Sequence, residues 1–305
     1  MGLLRLRAVK QMLLGLIPLV VVSVVLIVVM SLRLAGASAP LRAATSNATA
    51  VVTSTGLGGD GRQVAVEYAD ESGSTQSGRL TLDSAQEIPL GQQIVVAYDP
   101  DRPAVVYAPG DALTSAVDDL QGGVVIVALI LIGSLAVTAV RLVRRRPLAT
   151  AERRQVQVHR RRYRRGLSDR TWFVVDTERG PVWVPVYWDP AVERVGEQPV
   201  TVAAYGSPLA DSLIAFDVYG ATVWPSGRRR LDAPKGVERD LEPPTGEVSM
   251  PRQARADAVL LLLAPLLGLL WAYIDESGAA GFAFATAMAV GLLFWLPAIY
   301  GSDPT

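Results

Sequence analysis

Four long apolar runs alternate with polar segments along the chain. The runs extend over Met12–Leu32, Gly123–Val143, Ala258–Tyr273 and Ala279–Ile299. A helix rises about 1.5 Å per residue, so roughly 20 apolar residues cross the ~30 Å hydrocarbon layer of a bilayer. The third run is slightly short, and we expect Arg255 and Asp257 to extend to the headgroups and lengthen it. The pattern predicts an integral membrane protein with four helical spans.

The interiors of the four runs are apolar, with no ionisable residue in the middle of any of them. Transporters, proton pumps and voltage sensors place charges there despite the cost, so the pattern disfavours these functions. The fourth run has small residues four positions apart, which permits close contact with another helix. We expect the third run to be that partner. The predicted packing residues are Gly281, Ala285 and Ala289.

Basic residues lie at alternate ends of the predicted spans. Three of them precede the first span, and twelve arginines between Arg141 and Arg170 follow the second. Short basic segments stay on the cytoplasmic side of a membrane. Residues 34–120 instead hold eleven acidic residues and four arginines. We therefore expect a plasma-membrane protein with both termini in the cytoplasm and the first β segment outside.

That first β segment alternates apolar and polar positions with a period of two. The alternation is clearest in 50–54, 63–68, 79–83 and 94–98, between turns rich in glycine, aspartate and serine. Several short strands at hairpin-length spacing predict a small barrel or sandwich. Gly56–Gly61 has the composition of a tight turn, in which glycine adopts positive φ at little cost.

The segment ends in a strand that leads into an Asp-Pro turn at Asp99 and Pro100. Asp99 can accept a hydrogen bond from the turn backbone, and the prolines fix φ. Asp99 and Asp101 together suggest calcium ligands, but calcium requires several more oxygen ligands at regular spacing. A solvated turn is the favoured interpretation.

This string also carries a family resemblance, through Gly91, Val95, Tyr98, Asp99, Pro100 and Pro103. Two spans that flank a β domain ending in such a V-x-Y-D-P-x-x-P motif resemble a family of bacterial, actinobacterial-type membrane proteins of unknown function. The resemblance covers roughly residues 10–145 and implies no activity and no catalytic residue. The second pair of spans departs from the simplest members of that family.

Arginines dominate residues 144–170, which we interpret as a cytoplasmic linker. A helix here would lie on the membrane, where each basic residue contributes ~1 kcal/mol of attraction to anionic lipid. An acidic protein partner is the alternative. Nucleic acid is disfavoured because Tyr163 is the sole aromatic residue there for base stacking. The predicted contacts with anionic headgroups or a partner are Arg144, Arg145, Arg146, Arg153, Arg154, Arg160, Arg161, Arg162, Arg164 and Arg165.

A second β pattern follows over residues 171–247, and four of the six tryptophans lie within it. Most of its aromatic side chains are expected in the core of so small a domain. The order of strand, tyrosine, proline turn and strand recurs in both β regions. This recurrence leaves open whether the two domains are duplicates.

Residues suited to catalysis are scarce. The chain has no cysteine, its one histidine is His159, and it contains no HExxH, GxSxG, Walker or Rossmann motif. His159 lies among arginines, whose charge opposes metal binding. We therefore predict that the protein is not an enzyme and binds no metal or cofactor.

Together these patterns predict an α-helical membrane protein with four transmembrane helices and two small, mainly antiparallel β domains. The predicted function is a non-enzymatic accessory or scaffold protein that contacts lipid and protein partners as a subunit of a larger complex. The alternative is an envelope sensor or transport-related component with a ligand-binding outer domain. The predicted segments are the N-terminus 1–10, span 11–33, outer domain 34–121, span 122–143, linker 144–170, inner domain 171–247, tether 248–256, span 257–274, turn 275–278, span 279–300 and C-terminus 301–305.

Overall fold

The protein was analysed as a computed structural model that describes residues 5–241 and 248–305. The chain divides into two compact units, one with the residues up to Val24 and Ile130–Thr305, the other with Val25–Leu129. The α-helices of the described residues are α1 (Arg7–Ala43), α2 (Ala112–Arg145), α3 (Met250–Asp257), α4 (Ala264–Ile274) and α5 (Gly278–Tyr300).

Four helical stretches are long and apolar enough to cross a membrane, as the sequence predicts. They are Arg7–Ala43, Ala112–Thr150, Met250–Ile274 and Gly278–Tyr300. The second begins ten residues before the predicted span 122–143 because Asp111 caps it. The Asp111 carboxylate accepts hydrogen bonds from the amides of Leu113 (2.9 Å) and Thr114 (2.7 Å), which have no partner within the helix.

The third stretch consists of α3, a 3₁₀ segment (Ala258–Leu263) and α4. Pro265 stands in the first turn of α4 and has no N–H to donate to the preceding turn, which accounts for the change of helix type there. Most of the predicted tether 248–256 is helical. Ser249 caps α3 by accepting a hydrogen bond from the amide of Arg252 at 3.4 Å.

The Val25–Leu129 unit contains a closed five-stranded barrel, one of the two predicted alternatives, a small barrel or a sandwich. Its strands follow the order β1-β2-β3-β5-β4, and β4 pairs with β1 to close it. All pairs are antiparallel except β3 with β5, and the return of β4 to β1 makes a Greek key. The strands are β1 (Ser46–Leu57), β2 (Gln63–Ala69), β3 (Thr75–Thr81), β4 (Gln93–Asp99) and β5 (Arg102–Tyr107).

Two tyrosines make contacts in the core of this barrel, and one of them, Tyr98, belongs to the segment with the Asp-Pro turn. The rings of Tyr68 and Tyr98 lie 4.8 Å apart in the core. The Tyr68 hydroxyl donates to the carbonyl of Pro103 at 2.7 Å, and the Tyr98 hydroxyl accepts from the amide of Glu71 at 3.2 Å. Asp99 accepts from the Asp101 amide at 3.0 Å, so the predicted turn role of Asp99 is confirmed.

The other unit contains a second β domain, a half-barrel of seven strands. The order is β11-β10-β9-β6-β7-β8, with β12 paired to one end of β6. Isolated bridges join β8 to the segment after β11, at Val186 with Pro225 and Trp183 with Arg230. The strands are β6 (Arg153–Arg165), β7 (Ser168–Val175), β8 (Val182–Pro185), β9 (Val200–Tyr205), β10 (Ala215–Val218), β11 (Ala221–Val223) and β12 (Val237–Arg239).

The arginine-rich segment is a strand of this half-barrel, and the predicted linker helix over 144–170 is wrong. β6 pairs with β7 along one edge and with β9 and β12 along the other. Val158 is buried in its inner face beside the partly buried Val156, so the strand contributes to the core. Only a short 3₁₀ turn (Arg146–Thr150) separates the strand from α2. Of the predicted inner domain 171–247, residues 242–247 lie outside the described residues.

Residues 301–305 pack into the half-barrel after α5, with Ser302 and Asp303 buried. Gly301 ends α5 in the left-handed region (φ 76°). A Cβ at this position would lie 2.5 Å from Cβ of Ser226, so the close approach of the two segments requires glycine. The predicted cytoplasmic C-terminus is thus part of the folded domain.

Candidate functional site

Five of the ten arginines predicted to contact lipid or a partner form ion pairs inside the half-barrel unit. Arg160 is 3% exposed and contacts Glu193 at 2.8 Å and Asp303 at 3.1 Å. Its side chain therefore belongs to the domain interior and cannot contact a membrane. The other four pairs are Arg153 with Asp217, Arg154 with Glu152, Arg161 with Glu238 and Arg164 with Asp169.

The remaining five predicted arginines differ in their surroundings. Arg145 is buried, and Arg162 bonds the neutral oxygens of Thr305 and Asp240. The other three are exposed and make no ion pair with a described residue, which leaves them available for a charged partner. They are Arg144, Arg146 and Arg165.

A different group of basic residues comes together where α2, β7 and the end of α5 meet. We name it the guanidinium–aromatic cluster. Four separate stretches of sequence contribute to it, and arginines alternate with aromatic rings along it. Its members are Arg141, Tyr300, Arg170, Trp172 and Arg230.

Distances within the cluster fit cation–π contacts. The guanidinium carbon of Arg141 lies 5.0 Å from the ring centre of Tyr300, and that of Arg170 lies 6.0 Å from the same ring. Trp172 is approached by Arg170 at 5.2 Å and by Arg230 at 5.6 Å. Contacts of this kind are each worth about 0.5–1 kcal/mol when exposed and more when desolvated. The rings therefore hold the three cations close together.

Ser226 accepts hydrogen bonds from two of these arginines, through two different oxygen atoms. Its carbonyl accepts a hydrogen bond from Arg141 at 3.0 Å, and its hydroxyl accepts from Arg170 at 3.0 Å. Arg141 also donates to the carbonyl of Ile299. All three acceptors are neutral, so they position the guanidinium groups without cancelling their charge.

The positive charge at this place is uncompensated in the part of the chain that the structure describes. The pKa of Arg170 is lowered to about 10, mainly by burial and also by repulsion from Arg141 and Arg230. The phenols of Tyr187 and Tyr300 act in the opposite direction. No described carboxylate lies within ion-pair distance of these three arginines.

Sequence reasoning did not assemble this cluster. Arg141 was assigned to the end of a span and Arg170 to the end of the basic linker. Arg230 belongs to the run Arg228–Arg230, the one local signal that more basic charge follows the β region. Because the three cations come from distant stretches, only the folded chain brings them together.

A buried polar node lies elsewhere in the same unit, around the hydroxyl of Ser302. Amide groups of Gln11 and Gln253 each donate to this hydroxyl at 2.9 Å, and the hydroxyl donates to Asp257. All three partners are 0% exposed. The expected extension of Asp257 to headgroups is therefore wrong, since its carboxylate bonds inward.

Close helix contacts occur at three glycines outside the predicted packing set, Gly15, Gly268 and Gly291. A Cβ at Gly15 would lie 2.5 Å from Cβ of Ala298, and one at Gly291 would lie 2.8 Å from Leu19, so α1 and α5 approach closely. A Cβ at Gly268 would lie 3.0 Å from the Phe282 carbonyl, which marks the approach of α4 and α5. Of the predicted set, Ala289 is buried, Gly281 and Ala285 are half-buried, and a Cβ at Gly281 would meet its own N-cap, Ser277.

His159 lies in β6 with its Nδ1 3.9 Å from an Asp176 oxygen. No group of three His, Cys, Asp or Glu side chains that could hold a metal ion occurs within residues 5–241 and 248–305. In comparisons with known proteins, no protein-family model, curated protein or solved structure matched this chain. The resemblance to actinobacterial-type membrane proteins therefore stays a prediction.

Proposed function

We propose that this protein is a non-enzymatic scaffold of a bacterial inner membrane, which holds its half-barrel at a fixed position for protein partners. The observation that carries this proposal is the direct attachment of the half-barrel to the ends of the membrane-length helices. A domain on a flexible tether samples many orientations, whereas a domain bonded to helix ends presents one surface in one direction. The second arrangement suits a subunit of a larger complex.

Three helix ends contact the half-barrel: the end of α2, the end of α5 and the start of α1. The Nε of Arg145, the last residue of α2, donates to the carbonyl of Pro225 at 2.6 Å. The Tyr187 hydroxyl donates to the carbonyl of Ile299 in α5 at 2.8 Å. At the start of α1, Arg7 lies 5.3 Å from the ring centre of Trp188.

The proposed location rests on hydropathy and charge together. The four membrane-length stretches supply the spans. Basic residues near Arg141–Arg170 favour the cytoplasm for the half-barrel, and the acidic segment 34–120 favours the outer side for the barrel. Both termini are then cytoplasmic, and partners of the half-barrel are cytoplasmic proteins.

Extraction of the full chain in a mild detergent, followed by crosslinking and mass spectrometry, tests the scaffold proposal. We expect a stoichiometric protein partner whose crosslinks map to the half-barrel. Mixing with an isotope-labelled lysate of cells that lack the protein distinguishes partners bound in the membrane from those acquired after lysis. A chain that elutes alone, monodisperse and without crosslinks would contradict the proposal.

A second candidate function, an envelope sensor, is favoured by a groove on the barrel. The groove has a volume of about 290 Å³ and is lined by residues that include Arg79, Tyr107 and Asp111. Asp111 is also the cap of α2, so a ligand here would touch the start of a membrane-length helix. A thermal screen of the protein with cell-wall fragments and divalent ions tests this, with Arg79→Gln as the variant that should lose any ligand-dependent shift.

A further inference from the structure

We propose that the guanidinium–aromatic cluster binds the phosphate of an anionic phospholipid headgroup. The inference rests on the proposed membrane location and adds to it a specific ligand and a specific site. Arg141, Arg170 and Arg230 would contact the phosphate oxygens, while Tyr300 and Trp172 keep the three guanidinium groups in place.

The cluster has the charge that such a ligand requires. Three guanidinium groups lie around two aromatic rings, and their hydrogen bonds within the described chain end on neutral oxygens. Guanidinium binds phosphate with charge-assisted, often bidentate hydrogen bonds, which makes arginine the residue suited to this ligand. An anion at this place would relieve the mutual repulsion of the three cations.

Unused donors are available to meet the phosphate. Arg141 bonds through one terminal nitrogen and Arg170 through Nε and one terminal nitrogen, so each retains N–H groups without an acceptor in the described residues. None of these spare nitrogens is sealed from solvent. Arg230 is exposed, and its guanidinium makes no hydrogen bond within residues 5–241 and 248–305.

The place of the cluster favours a lipid over an acidic protein. Arg141 lies one turn before the end of α2, and Tyr300 is the last residue of α5. If these helices span the bilayer, both residues stand at headgroup depth. Apolar side chains with large exposed areas flank the cluster in sequence, Val143 at 69% and Leu231 at 67%. They offer contacts for acyl chains that a soluble acidic protein would not use.

Titration of the purified full-length protein with short-chain phosphatidylglycerol, and in parallel with short-chain phosphatidylcholine, tests the proposal by native mass spectrometry and thermal shift. We expect phosphatidylglycerol to bind and to raise the melting temperature, and phosphatidylcholine to do neither. Arg230→Gln should weaken phosphatidylglycerol binding about fivefold, the loss that one basic residue near a membrane surface predicts. The backbone bridge of Arg230 with Trp183 does not involve its side chain, which is exposed and makes no hydrogen bond within the described residues, so this variant should fold.

Arg228→Gln is the matched control. Arg228 is exposed and lies two residues before Arg230, and its substitution removes the same charge. We expect its binding to change less than twofold. Equal losses in the two variants would reduce the effect to general surface charge and overturn the proposal. Arg230→Lys keeps the charge but loses the planar guanidinium group, so we expect a loss of phosphatidylglycerol affinity between those of Arg228→Gln and Arg230→Gln.

Two further experiments distinguish a lipid headgroup from free phosphate or a protein as the ligand. Inorganic phosphate that displaces the lipid at millimolar concentration would show a free-phosphate site and overturn the lipid assignment. A photo-crosslinker in place of Leu231 in living cells should capture lipid, and stoichiometric capture of a protein there would overturn it as well.

Failure of the membrane location gives a different result from failure of the lipid site. Release of the protein from membranes by alkaline carbonate would remove the proposed function and this inference together. A protein that stays in carbonate-washed membranes but binds the two lipids equally would remove this inference alone.

Discussion

Arg160 in β6 and Asp303 after α5 form a buried ion pair, with 3.1 Å between nitrogen and oxygen and side chains 3% and 0% exposed. The residues are 143 positions apart in the chain. Thr171 in β7 also donates its hydroxyl to Asp303, and the Asp303 amide donates to the carbonyl of Asp169. The segment that follows α5 is therefore bonded to two neighbouring strands of the half-barrel.

Removing the charge of Asp303 should destabilise the half-barrel. Among the described residues, Asp303→Ala leaves Arg160 buried with Glu193 as its one remaining carboxylate partner. Loss of one partner of a buried pair costs about 3–5 kcal/mol in general, and we expect about 3 kcal/mol here because Glu193 remains. Denaturant unfolding of the detergent-solubilised protein, followed by tryptophan fluorescence, measures the change.

Glu152→Gln is the control for this experiment. Glu152 pairs with Arg154 at 2.6 Å, but both side chains are about half exposed or more. A surface pair of this kind contributes roughly 0–1 kcal/mol, so its loss should hardly change unfolding. If Asp303→Ala were as mild as Glu152→Gln, the buried pair would not hold the segment in place.

Gly15 should not tolerate a side chain. In Gly15→Ala the new Cβ would lie 2.5 Å from Cβ of Ala298 and 3.1 Å from the backbone of Trp295, so α1 and α5 must separate. We expect a destabilisation of about 1–3 kcal/mol. Gly133→Ala in α2 is the control because nothing lies within 4 Å of its Cβ position. Alanine has a higher helix propensity than glycine, so Gly133→Ala should not lower the melting temperature, and a comparable fall for both variants would contradict the packing explanation.

The β2–β3 turn should weaken at acidic pH. Asp70 accepts hydrogen bonds from Ser72, Ser74 and Gln76, which lower its pKa from 3.8 to about 2. A carboxyl group with a depressed pKa in the folded state stabilises the fold above about pH 4, and this contribution is lost as pH falls toward 2.

The pH dependence can be measured by hydrogen exchange of the turn amides between pH 5 and pH 2.5. Wild-type amides of Ser72 and Ser74 should lose protection as the pH falls, after correction for intrinsic exchange rates. In Asp70→Asn their protection should be lower at pH 5 and independent of pH. Parallel curves for the two proteins would exclude Asp70 as the titrating group.

The membrane orientation is testable with single cysteines because the chain has none. Glu87→Cys in the barrel and Glu178→Cys in the half-barrel remove the same residue type at exposed positions. In intact spheroplasts, an impermeant maleimide should label the first variant and should label the second only after lysis. The reverse pattern would place the half-barrel outside the cell membrane.

Local alternation was enough to predict the strands of the first β domain, though not to choose between a barrel and a sandwich. Val64, Val66 and Tyr68 point inward at every second position of β2, and each is nearly fully buried. A period of two in sequence becomes one face of a strand, and that relation needs no knowledge of the rest of the chain. The closure of β4 onto β1 is a long-range pairing that alternation alone does not determine.

The same reasoning failed at β6 because its inward residues are not all apolar. Val158 and Arg160 share the inner face, and the arginine is tolerated there because Glu193 and Asp303 neutralise it. Neither carboxylate is close to Arg160 in sequence, so the local sequence of this segment indicates a solvated basic stretch. The prediction that Asp257 extends to the headgroups was wrong for a similar reason, since its hydrogen-bond partner Ser302 lies 45 residues away.

The packing of residues 301–305 has a consequence for synthesis of the protein. A ribosome makes the β6 strand long before it makes Asp303, and α4 and α5 are made in between. During that interval the half-barrel lacks the carboxylate that binds Arg160 together with Thr171. The domain can complete its interior only after α5 has been made, so its folding reports that all four membrane-length stretches have been produced.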